Sequence, residues 1–231
     1  MSVPVAVFAS GSGTNLQALL DHEPSSGRYR IALVVADRSE AGALERARRA
    51  GRSAEVVPVS GRPPERVARD TLELLEEEGI RVVLLAGYLR LLPPALVRTF
   101  PRRMLNIHPA LLPSFGGKGM YGRHIHEAVL ESGARVTGVT IHCVDEEYDR
   151  GRILAQWPVP VRAGDTPETL GARVLRVEHL LYPRAADHLC RAVEEGREPA
   201  PFQPPGRAFG VLEEDTGELL EKQIEAAFST G

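Results

Sequence analysis

Asn106 and His108 stand two positions apart in the run Leu105-Asn106-Ile107-His108-Pro109. Side chains on a strand alternate between its faces, so an amide and an imidazole at this spacing emerge on the same side. The pair suits acyl transfer: a carboxamide N–H can donate to a developing oxyanion, and an imidazole exchanges protons near neutral pH. A second polar run, Asp145-Glu146-Glu147-Tyr148-Asp149-Arg150-Gly151, follows the next long apolar stretch. Its Asp149 is a candidate to orient His108 and to favour the protonated imidazole through opposite charge. Taken singly, a strand-end histidine is an ordinary hydrogen-bonded residue and an acidic loop an ordinary solvated turn; it is their combination with a phosphate-type turn that points to a site.

That turn is Ser10-Gly11-Ser12-Gly13-Thr14-Asn15, between the first apolar run and the first helical segment. Glycines let backbone N–H groups approach an anion closely, and a helix N-terminus adds partial positive charge. Gly13, Thr14 and Asn15 are therefore candidate phosphate-binding residues, although the same sequence also describes a tight turn capped by Thr14 or Asn15. Two named phosphate motifs are absent. Leu16 occupies the place of the third glycine in the dinucleotide fingerprint, while Asp37 lies about where its ribose-binding acid falls. No Gly-Lys-Ser/Thr ending is present to make a Walker loop.

Other polar residues carry less. His126-Glu127 begins a zinc-protease run, but Leu130 takes the second histidine's place, so no metal site is expected. His142 alternates inward on its strand and is either a crevice residue or a core one. Trp157 and Val159-Pro160-Val161 read as structural, the proline favouring an edge strand.

These groups need a scaffold. The β-branched runs at residues 3–9 and 31–36 have the texture of strands buried on both faces, and each is followed by a helical segment. Helices are expected at residues 16–20, 42–50 and 65–78, with further strands at 54–57, 82–86 and 105–107. This alternation implies right-handed βαβ units: an α/β, Rossmann-like, mainly parallel sheet with helices on both faces. After a glycine-rich loop at 115–122 comes a short helix at 124–132. Strands at 136–144 and 153–161 then make an antiparallel or mixed extension of the sheet. Thr166 and Pro167 open a long helix as N-cap and first residue, with Leu170, Val174, Val177 and Leu181 on its buried face. Residues 1–196 form the expected catalytic domain. Residues 197–231 form a C-terminal extension, with a proline-rich strap at 198–206 and a short amphipathic helix at 219–228.

Composition narrows the class of partner. With 231 residues, 43% of them apolar, one large core is affordable, and a net charge of -3 without like-charge blocks favours small molecules over nucleic acid or membrane. The opening apolar run meets its Gly/Ser turn too soon for a signal peptide or a span, which predicts a cytoplasmic protein. Its two cysteines, Cys143 and Cys190, lack metal or disulfide spacing and read as buried thiols in a reducing compartment. Twenty-six of the 28 basic residues are arginine, a bias of composition without an assigned cause.

Four motifs occur in order: Ser10-Gly11-Ser12-Gly13-Thr14-Asn15-Leu16-Gln17, Leu85-Ala86-Gly87-Tyr88-Leu89-Arg90-Leu91-Leu92, Asn106-Ile107-His108-Pro109, and Glu147-Tyr148-Asp149-Arg150-Gly151. Together the chain resembles the folate-dependent formyltransferase family, from the N-terminus to about Pro183. Asn-x-His with a downstream Asp marks the wider family, and the Gly-x-Gly-Thr-Asn turn marks its phosphoribosylglycinamide branch in purine synthesis.

The resemblance implies a formyl transfer from 10-formyltetrahydrofolate to the amine of phosphoribosylglycinamide by direct attack, with no metal. It implies Asn106, His108 and Asp149 as the catalytic set, the substrate phosphate on Gly13, Thr14 and Asn15, and a substrate contact from Glu178. The pterin would lie against Leu89, Arg90, Leu91 and Leu92 and beside Asn106, Asp145 and Asp149, with Arg66 helping to hold the folate. Monomer and homodimer are both compatible with it. Ala110 stands where the family has serine, and the loop at residues 116–119 is slightly longer than usual.

Rivals within the family are a tRNA formyltransferase, expected to need a further basic domain, and a formyltetrahydrofolate hydrolase, expected to need a regulatory one. Outside it stand a non-catalytic sugar-phosphate binding module and a Rossmann dehydrogenase.

Overall fold

From Val5 to Ala9 every residue of the first strand is buried, because helices cover both faces of the sheet to which it belongs. The computed structural model describes residues 2–201 together with Lys222, Ile224 and Glu225. In chain order the elements are β1 (Val3–Ala9), α1 (Thr14–Ser26), β2 (Tyr29–Ala36), α2 (Gly42–Arg49), β3 (Ser53–Val56), α3 (Pro64–Glu77) and β4 (Val82–Leu85). There follow α4 (Pro94–Thr99), β5 (Met104–His108), α5 (Arg123–Glu131), β6 (Val136–Cys143), β7 (Ile153–Pro160) and α6 (Pro167–Glu194).

The seven strands form one sheet in the order β3-β2-β1-β4-β5-β6-β7. The pairs from β3 to β5 are parallel, and β5–β6 and β6–β7 are antiparallel, the mixed extension that the sequence predicts. The chain leaves β1 toward β2 on one side and returns to β4 on the other, so the strand order reverses at β1. Loops beyond the carboxyl ends of strands at such a reversal diverge and open a crevice. Ser10 N–H donates to Gly87 O at 3.1 Å, joining the two loops at its floor.

Alternation along β1 distributes the core. Val5, Val7 and Ala9 pack with Leu16 and Leu19 of α1 and Val174 and Leu181 of α6. Ala6 and Phe8 pack on the other face with Val67 and Leu75 of α3 and Leu96 of α4. Each fully buried leucine of this kind contributes about 2 kcal/mol. Trp157 is buried within edge strand β7.

The long helix begins as expected: the Thr166 side chain accepts from Thr169 N–H in a reciprocal capping box, with Pro167 in the first turn. Two expectations are corrected. The cap of α1 is neither Thr14 nor Asn15 but Gly13, in the left-handed region at φ 75°, and α1 runs to Ser26 rather than Leu20. Helix α4 was not anticipated, because Pro93-Pro94 reads as a break, yet proline fits a helix's first position, where its missing N–H costs nothing.

Beyond α6, Glu198 pairs with Arg102, and Ala200 O accepts from His188 Nε2 at 3.0 Å. Lys222, Ile224 and Glu225 are helical, Ile224 is fully buried and belongs to the same core cluster as Leu16 and Val174, and Glu225 accepts from Arg184 at 2.7 Å. The rest of the expected helix at 219–228, and the strap from residue 202 onward, lie outside the described residues. Among those residues no helix is long and apolar enough to cross a membrane, and Cys143 and Cys190 are buried free thiols.

Candidate active site

The crevice holds a cleft of about 490 Å³, of the size that encloses small-molecule ligands. Asn106 and His108 line it from β5, as their spacing requires, and His142 joins them from β6, where it is the register partner of Asn106.

Hydrogen bonds to carbonyls set the histidine tautomers. His108 Nε2 lies 2.8 Å from Phe115 O, which can only accept, so Nε2 carries the hydrogen and Nδ1 faces Asp149 Oδ2 at 3.6 Å. His142 Nδ1 likewise donates to Cys143 O at 2.9 Å, leaving Nε2 to accept from Asn106 Nδ2 at 3.1 Å. Asp149 Oδ1 is 3.4 Å from Asn106 Nδ2, and Asp149 Oδ2 accepts from Gly117 N–H at 2.8 Å. The amide, imidazole and carboxylate thus converge, and the Asp149 loop folds onto His108.

Asp149 is itself left-handed, at φ 56°. For a non-glycine residue this costs on the order of 1 kcal/mol, and it persists because the surroundings over-determine it. Two glycines give the loop room: a Cβ on Gly151 would fall 1.7 Å from Cys143 O, and one on Gly116 would fall 2.5 Å from Leu112 Cδ2 and 3.3 Å from Asp149 Cβ. The carbonyl of Phe115 and the N–H of Gly117 are site groups that sequence reasoning missed; backbone atoms leave no residue-type signal beyond the density of glycines.

Electrostatics refine one expectation. Burial pushes the His108 pKa below its ordinary value, outweighing Asp149 and the Phe115 carbonyl, which pull it up. Asp149 therefore favours the imidazolium, as its charge requires, but desolvation leaves the neutral imidazole as the resting form. For Asp149 burial also works against the charged form, yet the closeness of the His142 ring, the hydrogen bond from Gly117 N–H and the nearby His108 win and hold the carboxyl below its usual range.

The turn after β1 lines the same cleft. Helix α2 packs against it so closely that a Cβ on Gly13 would meet Ala43 Cα at 2.7 Å, which with the positive φ makes this position a glycine. Asn15 Nδ2 donates to Glu178 Oε2 at 2.8 Å, while Asn15 Oδ1 is buried with no partner among the described residues. Burial pushes the Glu178 pKa up to about 7, with the Asn15 bond opposing. An orphaned amide oxygen and a readily protonated carboxyl beside an anion turn suit a ligand carrying hydroxyls next to a phosphate.

Leu89, Arg90, Leu91, Leu92 and Asp145 also line the cleft, with Leu89 and Leu91 exposed at 40% and 43%. Arg66 does not line it; it lies exposed on the first turn of α3. Asp37 is not open to a ribose, since Arg90 and Arg38 occupy it. Ala110 is fully buried and its carbonyl accepts from Thr140 Oγ1 at 2.7 Å. No group of three or more metal-ligating side chains occurs among the described residues.

Against known proteins, residues 3–186 match the family model described as formyl transferase. The chain belongs to the formyl transferase family. The chloroplastic phosphoribosylglycinamide formyltransferase of Arabidopsis thaliana is 48% identical over 199 residues, covering 84% of this chain and 68% of that protein. The phosphoribosylglycinamide formyltransferase of Escherichia coli (strain K12) is 36% identical, covering 78% of this chain and 83% of its own length. A crystal structure of glycinamide ribonucleotide transformylase 1 from Symbiobacterium toebii superposes with a TM-score of 0.77 at 40% identity, covering 89% of this chain and 92% of that one. Some relatives are longer: the chain spans 60% of the Vigna unguiculata protein and 18% of a human trifunctional purine biosynthetic protein.

Proposed function

We propose that the protein transfers the formyl group of 10-formyltetrahydrofolate to the amine of 5'-phosphoribosylglycinamide, by direct attack of that amine, in purine biosynthesis. The observation that carries this reading is the convergence of Asn106, His108 and Asp149 in one cleft with the turn at Gly13, Thr14 and Asn15. The turn takes the phosphate, and Asn15 Oδ1 and Glu178 take the ribose side.

The residues present fit the folate as well. Leu85, Leu89, Leu92 and Val144 offer an apolar slot for a flat ring, edged by the polar loop at 145–149. Arg66 would enter only through the folate's outer end, since it stands outside the cleft.

When bound, the folate supplies an activated formyl carbon. The amine attacks it, the C–N bond forms, and the carbonyl oxygen gains negative charge. Asn106 meets that charge by turning an amide hydrogen from His142 or Asp149 to the oxyanion. His108, neutral at rest, becomes cationic beside Asp149 as it takes up the amine's proton, and its charge then stabilises the oxyanion. Collapse breaks the bond to the folate nitrogen, which accepts a proton from the His108 side. Holding both reactants in one cleft makes the step effectively unimolecular. A cytoplasmic location belongs to the same reading, supported by the two free thiols.

The test is to mix the protein with both substrates and follow deformylated folate by absorbance. Release that depends on the ribonucleotide supports transfer; release without it indicates hydrolysis, and no release refutes the reading.

A further inference from the structure

Asp37 directly follows β2, and its side chain is 1% exposed. The reaction proposed above gives it no part. Its Oδ2 accepts from Arg90 Nε at 2.7 Å, and both oxygens are approached by Arg38 at 3.3 and 3.4 Å. It also hydrogen-bonds the Ser10 side chain, whose Oγ accepts from Leu89 N–H at 3.0 Å. Two routes therefore run from one buried carboxylate to neighbouring residues of the same cleft wall. One goes through the Arg90 guanidinium and the other through a hydroxyl to the Leu89 backbone.

That wall has few anchors of its own. It leaves β4 through Gly87, at φ 74°; Tyr88 sets its ring edge-on against Phe8, but Leu89 and Leu91 are largely exposed and the next buried apolar residue is Leu92. An apolar ring lying on the wall needs the backbone from residue 88 to 91 held in one place before it arrives, since ordering it on binding would cost affinity.

We propose that Asp37 is a positioning residue for the folate-binding wall, fixing Arg90 by its ion pair and Leu89 through Ser10. The inference rests on the folate reading of the cleft. Both arginines are 44% exposed, so removing the buried carboxylate releases their guanidiniums to water instead of leaving a charge buried, and the loss should be felt at the wall rather than across the whole sheet. Asp37 reaches the anion turn only at its first residue, Ser10, and makes no hydrogen bond to the candidate phosphate-binding residues Gly13, Thr14 and Asn15 or to the Asn106, His108 and Asp149 group, which makes the effect selective for one substrate.

The experiment is steady-state kinetics on wild type, Asp37→Ala, Asp37→Asn and Arg90→Ala, with thermal unfolding of each. Asp37→Ala should raise KM for 10-formyltetrahydrofolate by about 10-fold or more, with KM for phosphoribosylglycinamide and kcat within about twofold. Asp37→Asn keeps an acceptor for Ser10 and should recover part of that loss, and the Asp37→Ala/Arg90→Ala pair should lose less than the sum of the two single changes. An unchanged folate KM in an active, folded Asp37→Asn or Asp37→Ala protein overturns the proposal. So does a parallel fall in kcat and both affinities that tracks a lowered Tm. Wild-type protein that shows no transfer overturns the folate reading itself, and this inference with it.

Discussion

The turn after β1 and the strand pair β5–β6 face the same cleft, yet they are made of different material. In the turn the groups that the proposed function puts to work are backbone N–H groups at a helix start, and the sequence requirement is mostly for what is missing: a Cβ at Gly13 has no room beside Ala43. In the strand pair and the loop after β6 the groups assigned to the chemistry on the proposed reading are side chains: Phe115 O fixes His108, Gly117 N–H fixes Asp149, and Asn106 is held by the side chains of His142 and Asp149. The contrast separates labour. An anion already charged in the ground state is served by fixed dipoles, whereas charge that appears only during the reaction needs groups that can move a proton.

The comparison breaks most visibly on the side-chain half. His108→Ala and Asp149→Asn should each lower kcat by about 10³-fold, within the range for lost acid–base and oxyanion groups. Steady-state rates at saturating substrates measure it. Retention of most of the activity would mean that the strand pair is scaffold.

Glu178, at the border of the two halves, offers a pH test. Its folded pKa of about 7 stands above the ordinary 4.5, so the stability it contributes is complete below pH 4.5 and is lost as pH rises through 7. At about 1.4 kcal/mol per unit the full loss is roughly 3 to 4 kcal/mol, most of it between pH 5 and pH 8. Urea unfolding at pH 5 and pH 8 should show that decline in wild type, and Glu178→Gln should remove it. A decline of the same size in both proteins would place its origin elsewhere.

The backbone half should respond more gently. Gly13→Ala strains a left-handed position and pushes on Ala43 at a cost of roughly 2 kcal/mol. It should raise KM for the ribonucleotide about 10-fold and leave the folate KM near wild type. A change in the folate KM instead would contradict the assignment of the turn.

The same division governs what could be read from the chain. Alternation placed Asn106 and His108 on one face, and glycine spacing marked the turn, because periodicity and missing side chains are local properties. The approach of Asp149 to His108 followed from chemistry and topology rather than spacing, since 41 positions separate them. The support from Phe115 O and Gly117 N–H was not legible, because backbone groups look alike in every residue. Nor was the direction of the His108 shift, because desolvation depends on packing that no local pattern reveals. Helix α4 was hidden for the opposite reason: its prolines carry a local signal that suits both a break and a helix start.

Calorimetric titration of phosphoribosylglycinamide into His108→Ala and Asp149→Asn tests most directly whether grip and chemistry reside in separate parts of the cleft. The account predicts a Kd within about threefold of wild type in proteins that no longer turn over. Loss of binding in step with loss of turnover, in folded variants, would contradict it.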